Sequence, residues 1–308
     1  MAFAAVRPAH MVYRTSSQTR LMPEHLHPVS SFLAASPQAQ QLGRLELGLG
    51  RSAAIWRNEN DRVTYEAPQG HTFSFYLAGG NGTWRTDGTP LHGWPGAVCV
   101  MPQGQSSTWD ITSAFTFVHL YVPDSDLRRV YAETFDRDAR SLDLIDRTYV
   151  APDELAAPFG QLVQGITRQN AAQAETAAVD LIQTVLESGR FGQAARAPLS
   201  GGLSPRNLRL MRDYIEANLD QPIYLRDLAG IVGLSECHLQ RSFRETCGTS
   251  PQGWIAARRI DRAKSLIRAG TPLAQVAAAC GFNSQSHLTR AFRDGTGTTP
   301  AAWRRALS

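Results

Sequence analysis

"GLSECHLQRSFRETCGTSP" occupies residues 233–251, and "GFNSQSHLTRAFRDGTGTTP" occupies residues 281–300. Glycine, His-Leu, an arginine two places on, Phe-Arg, Gly-Thr and Ser/Thr-Pro recur in the same order. The copies are offset by 48 residues at the glycines and 49 at the prolines, so Asn283 reads as a one-residue insertion. An internal repeat decides the architecture of the half that carries it.

Each copy follows a stretch of the form Leu-x-x-Leu/Val-Ala-x-x-x-Gly, "LRDLAGIVG" at 225–233 and "LAQVAAACG" at 273–281. Leu225, Leu228, Ala229 and Val232 share one helix face, as do Leu273, Val276, Ala277 and Cys280. Gly233 and Gly281 suit a left-handed helix stop. Ser235 and Ser284 suit the N-cap of a second helix, with Leu239 and Phe243, or Leu288 and Phe292, facing inward. Helix, tight turn and capped helix make a helix-turn-helix. Ser250-Pro251 then opens a linking helix that can run to Gly270. About 18 residues at 1.5 Å rise give about 27 Å, which suits two recognition helices set about one DNA turn, ~34 Å, apart.

Charge supports this reading. Residues 200–308 hold 15 Lys and Arg against 8 Asp and Glu, whereas residues 1–199 hold 16 against 19. The positive excess sits with the repeat, as expected of a domain that binds a polyanion. Lys264 is the only lysine in the chain.

The repeat region resembles the AraC/XylS family of bacterial transcription regulators over about residues 205–307. The resemblance is carried by "LRDLAGIVGLSECHLQRSFRETCGTSP", the linking "RRIDRAKSLI" and "VAAACGFNSQSHLTRAFRDGTGTTPAAWR". One departure is Tyr224, which stands where the family usually has a Ser/Thr cap. With the inward positions assigned, Glu236, Cys237, Gln240, Arg241 and Arg244 point outward on the first recognition helix. Gln285, Ser286, Thr289, Arg290 and Arg293 do so on the second. The resemblance implies base contacts at Cys237, Gln240 and Arg241 and at Gln285, Ser286, Thr289 and Arg290. Arg suits guanine and Gln suits adenine. Arg244 and Arg293, one turn further on, are expected on phosphates. His238 and His287 are expected to complete the packing of the motif.

The first half reads differently. Residues 1–40 are expected to be irregular, broken by Pro8, Pro23, Pro28 and Pro37. "HTFSFYL" (71–77) places His71, Phe73, Phe75 and Leu77 on one face. "AFTFVHLYV" (114–122) places Phe115, Phe117, His119 and Tyr121 opposite Thr116, Val118, Leu120 and Val122. Short strands with glycine-rich corners suggest a small barrel or sandwich. A helix over 124–135 capped by Asp124 or Ser125, a strand near 142–150, and helices over 153–169 and 172–189 follow. The apolar stripe of the last can pack on the barrel or on a second subunit.

This half looks like the cupin-type sensor domain that many members of the family carry, with "GWPGAVCVMPQGQSSTW" (93–109) as the second half of such a barrel. The expected fold is therefore α+β and multidomain. A cupin-like β-barrel with flanking helices spans 1–189, for sensing and dimerisation, and a linker spans 190–203. Residues 204–308 form an all-α domain with two helix-turn-helix motifs joined by a linker helix. Trp84, Trp109, Phe117, His119 and Tyr121 are candidates to line an effector pocket.

The function expected is a sequence-specific DNA-binding regulator, an activator by analogy with the family, controlled by a small-molecule effector. Its expected partners are promoter DNA, RNA polymerase and a second copy of the chain. An alternative is a ligand-independent regulator whose barrel only dimerises. A metal cupin enzyme is disfavoured because no His-x-His follows His71-Thr72-Phe73; His25-Leu26-His27 lies in a Pro-flanked arm. A DNA-alkyl acceptor needs a cysteine in a metal cluster or a Pro-Cys-His setting, which Cys99, Cys237, Cys247 and Cys280 lack. No metal or other cofactor is expected. No apolar run approaches the roughly 18–20 residues that span a bilayer, and neither a secretory signal nor a disulfide framework is evident. A cytoplasmic protein with reduced thiols is expected.

Overall fold

The computed structural model describes residues 28–194 and 201–307. The His25-Leu26-His27 arm and residues 195–200 of the expected linker lie outside them.

A first helix, α1 (Pro28–Ala35), departs from the irregular start expected for residues 1–40. Pro28 is its first residue, where the missing N–H costs nothing, and Val29 and Leu33 are buried. Ten strands and three helices follow: β1 (Gln40–Gly48), β2 (Arg51–Asn58), β3 (Asp61–Tyr65), β4 (His71–Ala78), β5 (Thr83–Arg85), β6 (Val98–Met101), β7 (Ser107–Ile111), β8 (Phe115–Val122), α2 (Asp124–Phe135), β9 (Leu142–Leu144), β10 (Arg147–Val150), α3 (Asp153–Thr167) and α4 (Ala171–Glu187). From β2 to β8 the chain alternates between two antiparallel sheets. One has the order β1-β2-β8-β4-β6-β10, the other β3-β7-β5. Turns built on Asn60, Gly70, Gly79 and Gly80, all at positive φ, make several of these switches. The two sheets stack on each other and do not close into the barrel expected for 1–189.

The alternation in β8 divides two cores. Phe115, Phe117 and Tyr121 enter the core between the sheets, with Trp56, Tyr65, Tyr76 and Trp109. Val118, Leu120 and Val122 face the opposite way, into a core covered by α2, α3 and α4. The apolar stripe of α4, from Ala174 to Val185, is wholly buried there. It packs on the large sheet and α3, which leaves none of it for a second subunit. α2 has Pro123 at its N-cap and no side-chain cap bond. Asp124, expected to cap it, instead meets Arg128 and His71. The Gln103 N–H donates to His71 Nδ1 at 3.1 Å, so Nε2 carries the proton and donates to Asp124 Oδ1 at 3.2 Å. After α4, β11 (Gly192–Ala194) pairs with β9, so the first residues of the expected linker belong to the N-terminal unit.

The second half is all helix: α5 (Pro205–Ala217), α6 (Leu225–Val232), α7 (Glu236–Cys247), α8 (Pro251–Arg268), α9 (Leu273–Ala279), α10 (Gln285–Thr296) and α11 (Pro300–Leu307). It has two small cores. Leu208, Met211, Leu228, Leu239, Phe243 and Trp254 centre the first; Ile260, Ile267, Val276, Leu288, Phe292 and Trp303 centre the second. The repeat extends three residues past its prolines, to Pro-x-x-Trp at Trp254 and Trp303. Each tryptophan meets the phenylalanine of its own recognition helix edge-on, Phe243–Trp254 at 5.8 Å and Phe292–Trp303 at 5.7 Å.

Candidate nucleic-acid interface

Both motifs are built by the same local bonds. Gly233 (φ 67°) ends α6 and Gly281 (φ 68°) follows α9, each left-handed. Ser235 Oγ accepts from the His238 N–H, and Ser284 Oγ from the His287 N–H, which caps α7 and α10. Such a cap is worth about 1 kcal/mol and fixes where each recognition helix begins. Tyr224 is the N-cap of α6 with no side-chain cap bond, and its ring lies instead under the Arg226 guanidinium at 4.7 Å. Ser250 caps α8 through the Gly253 N–H, with Pro251 at its first turn.

The inward residues are fully buried: Leu239 and Phe243 on α7, Leu288 and Phe292 on α10. The outward ones are where their spacing places them. Cys237, Gln240, Arg241 and Arg244 are exposed on α7, and Gln285, Ser286, Arg290 and Arg293 on α10. Thr289 is half-buried, with its hydroxyl donating to the Gln285 carbonyl. On α10 these side chains, joined by Asp294 and Thr299, border an open groove of about 740 Å³. Arg241 Nε stands 3.9 Å from Glu245 Oε1. Among the described residues, Arg244, Arg290 and Arg293 have no carboxylate at ion-pair distance. Of the two motif histidines, His287 is half-buried against Phe282 at 5.3 Å, whereas His238 is exposed.

The expected effector residues divide. Trp109, Phe117 and His119 line a cavity between the two sheets. Tyr121 is fully buried behind it, its hydroxyl accepting from Trp56 Nε1 at 3.0 Å and standing 3.2 Å from His119 Nδ1. Trp84 is outside, half-buried against His92. The free space is about 20 Å³, room for about one water. Sequence reasoning overlooked Asn58, Ser74, Tyr76 and Thr83 on its wall. Ser74 and Tyr76 occupy the face of "HTFSFYL" opposite the one singled out, so the alternation did contain the signal. Thr83 donates to the Gly80 carbonyl at 2.8 Å and meets the Tyr149 hydroxyl at 2.9 Å. Burial pushes the Tyr149 phenol up to about 12, so it is a donor at neutral pH.

The cysteines are all free. Burial raises the Cys99 thiol to about 12 and that of Cys280 to about 11, and it raises Cys247 as well. Thiols held protonated in this way are poor nucleophiles. Among the described residues no group of three or more His, Cys, Asp or Glu is placed to hold a metal, and no helix is long and apolar enough to cross a membrane.

A helix-turn-helix domain family model matches residues 228–306, the span of both motifs. Two curated relatives are regulators. The HTH-type transcriptional regulator GbdR of Pseudomonas aeruginosa is 30% identical over 158 residues, and the probable transcriptional regulator LumQ of Photobacterium leiognathi is 36% identical over 81. Residues 228–306 are thus a helix-turn-helix domain, in the region whose sequence resembles the AraC/XylS family. The alignments cover 49% of the chain with GbdR and 26% with LumQ, and the chain spans 42% and 33% of those relatives' lengths. An AraC-type transcriptional regulator structure from Chromobacterium violaceum is 30% identical, with 33% of this chain and 93% of that one covered and a TM-score of 0.32. These relatives are regulators, not enzymes.

Proposed function

We propose that the chain is a sequence-specific transcription regulator, an activator, whose two helix-turn-helix units read adjacent major-groove segments of promoter DNA. The observation that carries this reading is the pair of capped recognition helices, each with its apolar face buried and its Gln/Arg face in solvent. α8 joins them and, at 18 residues, is about 27 Å long. In this reading Arg241, Gln240 and Cys237 of α7, with Gln285, Ser286, Thr289 and Arg290 of α10, meet base edges, and Arg244 and Arg293 meet phosphates. Residues 204–308 are the DNA-binding domain and 1–189, extended by β11, the sensor, a cupin-like unit in its stacked sheets, with the rest of 190–203 between them. The regulator works in the cytoplasm with RNA polymerase as partner. If it acts as a homodimer, the interface uses a surface other than the buried α4 stripe.

A small-molecule effector would enter between the sheets, where Asn58, Ser74, Thr83 and His119 supply polar groups among aromatic walls. The tightness of that cavity supports the second reading as well, a ligand-independent regulator whose β unit serves as scaffold. Thermal unfolding with a panel of small aromatic and polar metabolites separates the two: a shift in Tm with a matching shift in DNA affinity supports the effector, and no shift across the panel supports the scaffold.

The test of DNA reading is binding of the full chain to DNA upstream of its own and neighbouring genes across a salt series. Site-selective binding weakened by both Arg241→Ala and Arg290→Ala is expected. Binding that ignores sequence and both substitutions overturns the reading.

A further inference from the structure

The two recognition helices end alike, on left-handed glycines Gly248 and Gly297, both at φ 74°. Each of these glycines is also where the N-terminal unit touches its helix. At Gly248 the partner is α2: a Cβ there would lie 2.6 Å from Arg128 Cβ and 3.2 Å from the Ser125 carbonyl. At Gly297 the partner is β1: a Cβ would overlap the Glu46 carbonyl. The adjoining β1–β2 turn completes that seat. The Leu49 N–H donates to the Asp294 carbonyl at 2.9 Å, and a Cβ on Gly48 would overlap the backbone of Gly295 and Thr296.

The two seats belong to one body. β1 is paired with β2, β2 with β8, and β8 runs through Pro123 directly into α2. Arg51 of β2 and Asp126 of α2, both buried, approach to 3.4 Å across the same junction. The helical half also joins its two units through α8, whose first turns pack in one core and whose last turns pack in the other. α8 is itself held to the N-terminal unit by Lys264 Nζ on buried Glu175 at 2.6 Å. The N-terminal unit therefore bridges α7 and α10 from their C-terminal ends, while the base-reading residues on their N-terminal turns stay exposed.

We propose that the α10 seat, formed by Glu46, Gly48 and Leu49 where β1 enters its turn, and the first turns of α2 are positioning elements that fix the separation and rotational phase of α7 and α10. This inference rests on the two-unit reading of DNA. On that basis the spacing of the two half-elements in the DNA site is set by the N-terminal unit together with α8. One inserted base pair moves a half-element by about 34° around the duplex, given 10–10.5 base pairs per turn. A bridged reader cannot follow that rotation, but one with the α10 seat broken can.

The experiment uses the full chain throughout. Wild type first selects its site from random DNA. Binding is then measured on that site with one base pair removed from or added to the spacer, and on each half-element alone. Gly48→Ala breaks the α10 seat. Gly50→Ala is the matched control, since it adds the same positive-φ strain (φ 75°) in the same turn but meets only the Pro123 ring, at 3.0 Å. Wild type and Gly50→Ala are expected to lose about tenfold or more on a one-base-pair change, the scale of a lost base contact. Gly48→Ala should lose less than about threefold and bind isolated half-elements as wild type does. If Gly48→Ala does not fold, Lys264→Met, which cuts the tie of α8 to α4, takes its place with the same expectation. A wild-type spacing profile in the seat-breaking variant overturns the proposal. A selected site with only one half-element overturns the two-unit reading beneath it.

Discussion

α7 and α10 share a cap, a buried Leu/Phe pair, a terminal glycine and an edge-on tryptophan, yet they present different surfaces. On α7 the exposed Arg241 and Arg244 are interleaved with exposed Glu236 and Glu245, and Arg241 leans toward Glu245. On α10 Arg290 and Arg293 are accompanied by Asp294 alone, and Gln285 opens the helix where Glu236 opens α7. The scaffold is repeated closely because packing and capping demand the same residues twice. The outer face is under no such constraint, so each unit carries its own charge balance. The difference teaches that α10 presents the less compensated positive face, so under the proposed reading α10 would bear more of the DNA affinity than α7.

The largest way to break this comparison is to remove one unit. Phe292→Ala, which takes a fully buried ring from the second core, should cost about 3–5 kcal/mol. Its chemical denaturation should show a separate early transition, with residual DNA binding confined to one half-element. Next comes the tie between the two seats. Burial works to raise the Asp126 carboxyl, but Arg51 and Arg129 outweigh it and hold it below its ordinary value. Its stabilisation is therefore present above the unfolded value of about 3.9 and is lost as pH falls through the depressed folded one. Asp126→Asn should lower stability by about 3 kcal/mol at neutral pH, as when one partner leaves a buried pair. It should also flatten the acid limb of an unfolding curve below pH ~4.

DNA binding sharpens the contrast. Arg290→Ala should cost roughly 1–3 kcal/mol and relax preference at one base pair. Arg241→Ala should cost less, because its guanidinium leaves a neighbouring carboxylate to reach DNA. A uniform loss across sequences with a shallower salt slope would move Arg290 from bases to phosphate. The smallest effect is at Tyr224: Tyr224→Ser should restore a side-chain cap to α6 and stabilise the first unit by about 0.5–1 kcal/mol in thermal melts.

The second half was legible because what defines it is local. A serine three residues before the N–H it caps, a glycine at a left-handed stop and an apolar face repeating every turn are all read within a dozen residues. Residues 114–122 were legible for the same reason, and the two faces that their period separates enter two different cores. What escaped depends on distant partners. Whether sheets close is decided by which strands pair, and here turns such as Gly79-Gly80 pass the chain from one layer to the other. Tyr149 meets Thr83 only because β10 joins the far edge of the large sheet. The α4 stripe looked the same whether a sheet or a second subunit covered it. Pro28 was read as a breaker, although at the first turn of α1 it is a starter.

Lys264 gives the molecule a built-in reporter. It is the chain's only lysine, and its ammonium lies between Glu175 and Asp261, 5.5 Å from the centre of the Trp303 ring. Only an unprotonated, accessible amine attacks an acylating reagent. While the two halves are docked, the one side-chain amine in the protein is therefore shielded, its side chain 15% exposed. A single acyl mass increment at this position, beyond that on the N-terminus, then counts the molecules whose halves have come apart, without any engineered label.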